Sequence, residues 1–146
     1  MKEKKILSTK LLSLQLKRAI FLAFKQAKKY GNNTVSSMFL LYGILKTNNN
    51  LVSRSINNLY SAQSPFNNKV EKILSKCELE FKNISTNTVV DNDELTFSRP
   101  IRRLLFSISK SIKNEKPVVI TTFQVFNLMI RNKSLRNWIK QTLVDN

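Results

Sequence analysis

The 146-residue sequence is long enough to bury the core of one domain, and its 42% hydrophobic content and mean hydropathy of -0.23 suit a globular, soluble fold. Its formal charge is +16, from 25 Lys and Arg against 9 Asp and Glu, so it favours an anionic partner: nucleic acid, an acidic membrane surface or an acidic protein. With no histidine, one cysteine and two glycines, it excludes histidine acid–base chemistry, Ser–His triads, thiolate metal clusters and a glycine-rich phosphate loop.

No apolar run approaches the roughly 20 residues that span a bilayer. The opening Met1-Lys-Glu-Lys-Lys-Ile-Leu lacks the apolar core and small-residue cleavage site of a secretory leader, so the protein is expected to work where it is made. After Glu3 no acidic residue occurs until Glu71, and Glu71, Glu78, Glu80, Asp91, Asp93 and Glu94 then cluster in the middle. The abundance of Lys, Asn and Ile also matches an AT-rich coding sequence, a source of positive charge that needs no partner. The lone Cys77 reads as an inert thiol in a reducing compartment.

In chain order, Leu16, Ala19, Ile20, Ala23 and Ala27 recur at helical spacing between Ser13 and Tyr30. Ser13 is the predicted N-cap and Gly31 the left-handed stop. A second helix is predicted from Ser36 or Ser37 through Met38, Leu41, Tyr42 and Leu45, and a third from Leu51 to Tyr60 with Leu51, Ser55, Ile56 and Leu59 inward. Pro65 suits the start of a fourth, carrying Phe66, Val70, Ile73 and Leu74 and ending near Lys76. Residues 77–96 read as a linker; Thr86 to Val90 is β-prone, but a single short strand without a partner makes a poor sheet. Ser98 is the predicted cap of a helix from Arg99 to Asn114, with Pro100 in its first turn and Ile101, Leu104, Leu105, Ile108 and Ile112 apolar. Thr121 or Thr122 caps the next, with Phe123, Phe126 and Met129, and Leu135 to Leu143 follows with Trp138 and Ile139. Leu16, Ile20, Leu104 and Ile108 are expected to be buried. Phe21, Phe106, Phe126 and Trp138, at helical spacing, are read as core.

Sliding the chain against itself by 85 residues aligns Leu12 through Leu45 with the second half without a gap. Leu12-Ser13 falls on Phe97-Ser98, Arg18, Phe21, Lys25 and Lys28 fall on Arg103, Phe106, Lys110 and Lys113, and Val35-Ser36-Ser37 falls on Ile120-Thr121-Thr122. Cap, helix, turn, cap and helix repeat in register. The expected fold is all-α, with about seven to eight helices in two pseudo-repeated halves of one domain: repeat one at about 12–76, a linker at 77–96 and repeat two at about 97–146.

The repeated unit resembles the Clp N-terminal domain, the paired four-helix module that precedes the ATPase rings of Clp unfoldases. Leu12-Ser13 is similar to its Phe-Thr opening, Ala23 and Ala27 stand at its alanine positions, and Gly31-Asn32-Asn33 at its Gly-His-Asn turn. Val35-Ser36-Ser37-Met38-Phe39-Leu40-Leu41-Tyr42-Gly43-Ile44-Leu45 follows its second helix, and Arg54 and Asn58-Leu59 continue the likeness. Phe97-Ser98 matches the opening again, with Ile120-Thr121-Thr122-Phe123-Gln124-Val125-Phe126 a looser copy of the second helix. The resemblance covers nearly the whole chain and implies a non-catalytic protein-binding module, like the stand-alone accessory subunits of plastid Clp proteases. Its implied partners are a Clp ATPase, the protease core or an acidic protein in a larger complex. Its implied setting is the plastid stroma, or a bacterial-type cytoplasm if it is not organelle-encoded. Family members that recognise phosphoarginine use a Glu at the positions of Met38 and Phe123. Neither a thioether nor a phenyl ring can accept that charge-assisted hydrogen bond, so the resemblance implies that phosphoarginine binding is lost. The sequence carries no Walker loop, and neither a cofactor nor a metal is expected.

Arg18, Lys25 and Lys29 fall near one angle of the first helix, with Lys17 and Lys28 beside them, and Arg102, Arg103, Lys110 and Lys113 repeat most of that layout. These cations are the expected partner-binding residues. They leave open two further functions: a basic structural subunit of a larger assembly, or a nucleic-acid or ribosome-associated protein whose phosphate contacts would be salt-sensitive. Against nucleic acid stand the absence of aromatic interleaving and of any DNA-reading motif.

Overall fold

The computed structural model describes residues 12–59, 69–111 and 119–144. Among the described residues are seven α-helices: α1 (Leu14–Lys29), α2 (Ser37–Lys46), α3 (Asn50–Leu59), α4 (Lys69–Asn83), α5 (Arg99–Ser111), α6 (Thr122–Met129) and α7 (Lys133–Val144). Two short strands, β1 (Thr34–Val35) and β2 (Thr96–Phe97), form a parallel pair, and a single 3-10 turn spans Asn92–Glu94. The fold is all-α.

The Ser13 hydroxyl caps α1 by accepting the Leu16 N–H at 3.0 Å, and Gly31 ends the turn after it at φ +71°. The buried stripe of α1 is Leu16, Ala19, Ile20, Ala23 and Ala27. Small residues dominate that stripe, so α2 can approach closely; a helix buried from Phe39 through Leu45 must be enclosed on all sides. Both halves contribute to one hydrophobic cluster.

The linker expected at 77–96 is corrected in its first part. Helix α4 runs on to Asn83, because Ile73, Cys77 and Phe81 keep the four-residue spacing of a buried stripe while Glu78, Glu80 and Lys82 take the outer face. Phe81 anchors this extension: its ring stacks on Phe39 (centroids 4.3 Å apart, planes 17° apart) and meets Tyr42 edge-on at 5.5 Å. Residues 84–91 form no regular element, yet they are tied down. The Thr86 N–H donates to the Tyr30 carbonyl at 2.9 Å, its hydroxyl donates to the Gly31 carbonyl at 2.6 Å, and Val90 is buried.

The strands join the two halves. Val35 pairs with Phe97, and an isolated parallel bridge pairs Leu12 with Ile120. The Ser98 N–H donates to the Val35 carbonyl and the Ser13 N–H to the Ile120 carbonyl, each at 2.9 Å. The 85-residue offset carries Leu12 onto Phe97 and Val35 onto Ile120, so each bridge is the other with the halves exchanged.

Other expectations are corrected. In α3 the inward residues are Val52 and Ile56, four apart, and the neighbouring Leu51 is rotated out to solvent. Leu16, Ile20 and Ile108 are buried, but Leu104 is only partly so. Phe126 is fully buried and Trp138 partly, whereas Phe21 and Phe106 are exposed, because each sits on the face of its helix turned away from the core. Ser98 gives its carbonyl to the Arg102 N–H at 3.0 Å, but its buried hydroxyl has no hydrogen-bond partner among the described residues. At α6 the cap is Thr121, whose hydroxyl accepts the Gln124 N–H (3.2 Å) while the Gln124 side chain accepts the Thr121 N–H (2.9 Å). Tyr60, Pro65, Phe66, Ile112 and Lys113 lie outside the described residues, as does the side chain of Leu59.

Candidate functional site

The expected cations of the first half come together on α1. Lys17, Arg18, Lys25, Lys28 and Lys29 are all exposed, and α1 contains no acidic residue. The Lys28 ammonium donates to Asn92 Oδ1 at 3.0 Å, which ties the end of α1 to the 3-10 turn. Lys29 lies over the Tyr30 ring, 5.4 Å from its centroid, and near the helix C-terminus both lysines are favourably placed against the dipole. Arg18 and Lys25 have no hydrogen-bond or ion-pair partner among the described residues.

In the second half Arg102 and Arg103 are exposed on α5. Lys110 lies on the same helix, but its side chain, like the whole of Lys113, is outside the described residues. Arg103 also lines a cleft of about 290 Å³ with Pro100, Ile101, Leu104, Leu128 and Met129. From Arg99 to Val144 the described residues include no Asp or Glu. Met38 and Phe123 are both half-buried and packed against the core.

The residues that sequence reasoning placed wrongly here are Phe21 and Phe106, which are 66% and 47% exposed. Phe21 falls three residues after Arg18 and four before Lys25, so all three share one helix face, on the side opposite Leu16, Ala23 and Ala27. Leu14, 68% exposed, extends that face by seven residues. A helical wheel centred on the alanines, rather than the mere recurrence of aromatic residues, carries the signal. Among the described residues, no group of three or more His, Cys, Asp or Glu is placed to hold a metal ion, and no helix is long and apolar enough to cross a membrane. Comparison with models of protein families and with the curated proteins finds no match to this chain.

Proposed function

We propose that the chain is a non-catalytic protein-binding module, an accessory or adaptor-like subunit of a Clp-type chaperone or protease system. The observation that carries the proposal is the pair of exchanged bridges, Leu12 with Ile120 and Val35 with Phe97, which cross-link two halves at the same 85-residue offset as the sequence repeat. A paired helical module of this kind offers two similar outer faces and one continuous core, an arrangement suited to holding a partner rather than transforming it. The motif resemblance supplies the Clp assignment, and the cationic faces of α1 and α5 supply steering toward an acidic surface, with salt acting mainly on association.

The test is affinity capture of the tagged chain from its native host at moderate salt, with co-purifying proteins identified and the direct contact repeated with purified components. The expected result is a stoichiometric Clp ATPase or protease subunit that is retained by the parent chain and weakened by the double reversal Arg18→Glu, Lys25→Glu. Failure of purified Clp components to bind would count against the Clp assignment. Retention unchanged by the reversal would move the interface away from the cations.

A further inference from the structure

We infer, resting on the reading of the chain as a protein-binding module, that the cleft between α5 and α6 grips one large aliphatic side chain of an acidic partner segment. A carboxylate close to that side chain in the same segment pairs with Arg103.

The two halves part company at this place. The 85-residue offset sets Gln15 against Pro100, Ala19 against Leu104, Leu22 against Ser107 and Gly43 against Leu128. In the first half these residues close α1 on α2. Gly43 lies against the Ala19 backbone, and the Gln15 side-chain amide donates to the Thr47 carbonyl at 3.1 Å, tying the start of α1 to the end of α2. In the second half Pro100 has no side-chain donor with which to make that tie. Leu104 and Leu128 are too bulky for the close approach, and Ser107 is too short to fill the gap as a leucine would. What remains is the cleft of about 290 Å³, to which Ser37 of α2 also contributes a wall.

Size, lining and charge select the occupant. Pockets that enclose a whole small-molecule ligand run from about 300 to 1,000 Å³, and this cleft falls just below them, a space for one large side chain and its adjoining backbone. Its apolar wall is incompletely covered: Ile101 and Met129 are buried, but Leu104 and Leu128 are only half-buried. An aliphatic side chain laid against them removes apolar area from water on both partners. At the rim, Arg103 is exposed and has no hydrogen-bond or ion-pair partner among the described residues. The described residues from Arg99 to Val144 include no Asp or Glu, so no carboxylate of this half competes for its guanidinium. A segment with a carboxylate near an aliphatic side chain satisfies both features together. Charge brings it to the face and insertion of the side chain sets how long it stays.

The test follows the methyl resonance of Met129, which lines the cleft, in the full chain labelled at its three methionines and assigned through Met129→Leu. The titrant is a short glutamate-rich peptide with one central leucine. The Met129 signal should shift saturably, and exchanging the peptide's leucine for alanine should weaken binding roughly tenfold. Arg103→Gln should weaken binding and reduce its salt dependence. Ser107→Leu, which gives the second half the residue of the first at an exposed position, should block binding while melting like the parent. If that variant does not fold, the exchange within the peptide still decides. Three results would overturn the proposal: no saturable Met129 shift, equal affinity of the leucine and alanine peptides, or displacement of the peptide by octanoate as effectively as by unlabelled peptide, which would assign the cleft to small carboxylates. Capture of Clp subunits separates this proposal from the function it rests on. Capture unchanged by Ser107→Leu but weakened by Arg18→Glu with Lys25→Glu would overturn the cleft and leave the Clp assignment standing. Leucine-dependent binding in the cleft without any captured Clp subunit would support the cleft and count against that assignment.

Discussion

Gly43 in α2 lies directly against Ala19 in α1: a Cβ on Gly43 would run into the Ala19 carbonyl oxygen and press on the Ala23 amide. The close approach exists because Ala19 and Ala23 keep the facing stripe of α1 shallow. The 85-residue offset places Leu104 and Leu128 where Ala19 and Gly43 stand, and in that half both leucines line the cleft between α5 and α6. Two bulky residues hold apart what two small ones close, so the same repeat packs tightly once and loosely once.

Gly43→Ala should therefore destabilise the protein by about 3 kcal/mol, toward the upper end of overpacking costs, because the obstructing atom belongs to the backbone and cannot swing away like a rotamer. Leu128→Ala, at a half-buried cleft position, should cost less than half as much. Urea unfolding with an unchanged m-value checks both, and a neutral Gly43→Ala would show that α1 and α2 do not meet as closely as described.

The length of α4 gives a second test. Phe81 is fully buried among Phe39, Tyr42 and Tyr30, whereas Leu79, two residues earlier on the same helix, is 55% exposed. Phe81→Ala should cost about 3–5 kcal/mol, while Leu79→Ala should stay within about 0.5 kcal/mol. Comparable effects of the two exchanges would mean that the chain beyond Lys76 does not continue as a packed helix.

Much of this architecture is legible in the sequence, for reasons that differ from element to element. The start of α1 and the stop at Gly31 are local events, a hydroxyl meeting an orphan N–H and a residue free to take positive φ, so cap and glycine announce them. The end of α4 is not local. It is fixed by Phe81 reaching rings contributed by α2, and the charged residues between Cys77 and Phe81 hide the period that continues beneath them. The strand pairing has no local signal, since two-residue strands gain their partners only once the halves meet. The candidate surface was half legible. The cations of α1 fall where a helical wheel puts them, but the recurrence of aromatic residues at helical spacing points Phe21 to the core, whereas its angle relative to the buried alanines places it outside.

Thr122 offers a stabilising exchange. Its hydroxyl is buried at the first turn of α6 with no hydrogen-bond partner among the described residues, while Thr121 beside it carries the cap. A buried hydroxyl without a partner retains its desolvation cost, so Thr122→Val, nearly the same shape, should raise stability by about 1 kcal/mol. Thr121→Ala, by contrast, should lower it by about 1 kcal/mol through loss of the cap. Thermal melts of the two variants should move in opposite directions; a destabilised Thr122→Val would mean that the hydroxyl is engaged after all.

Alkaline pH should reveal the burial of Cys77 and Tyr42. Cys77 is fully buried, and burial, reinforced by the negative charges of Glu78 and Glu80, pushes its thiol up from 9.0 to about 12. Tyr42 is raised from 10.0 to about 12, first by burial and then by the nearby charge of Glu78, to which its hydroxyl donates at 3.3 Å. In both cases the folded chain holds the proton more tightly than the unfolded one. The resulting contribution to stability is complete below the unfolded value and is lost as pH climbs through the folded one, so the thiol contribution should fade between about 9 and 12 and the phenol contribution between about 10 and 12. The difference between parent and Cys77→Ala, rather than either melting temperature alone, isolates the thiol: the parent should lose its advantage over the variant as pH rises from 9 toward 11. At pH 8 the same thiol should react with a disulfide reagent only through opening of the fold, far more slowly than free cysteine and at the free rate once denatured. Rapid modification of the native chain, or a pH-independent difference between the two proteins, would place Cys77 in contact with solvent and remove it from the core.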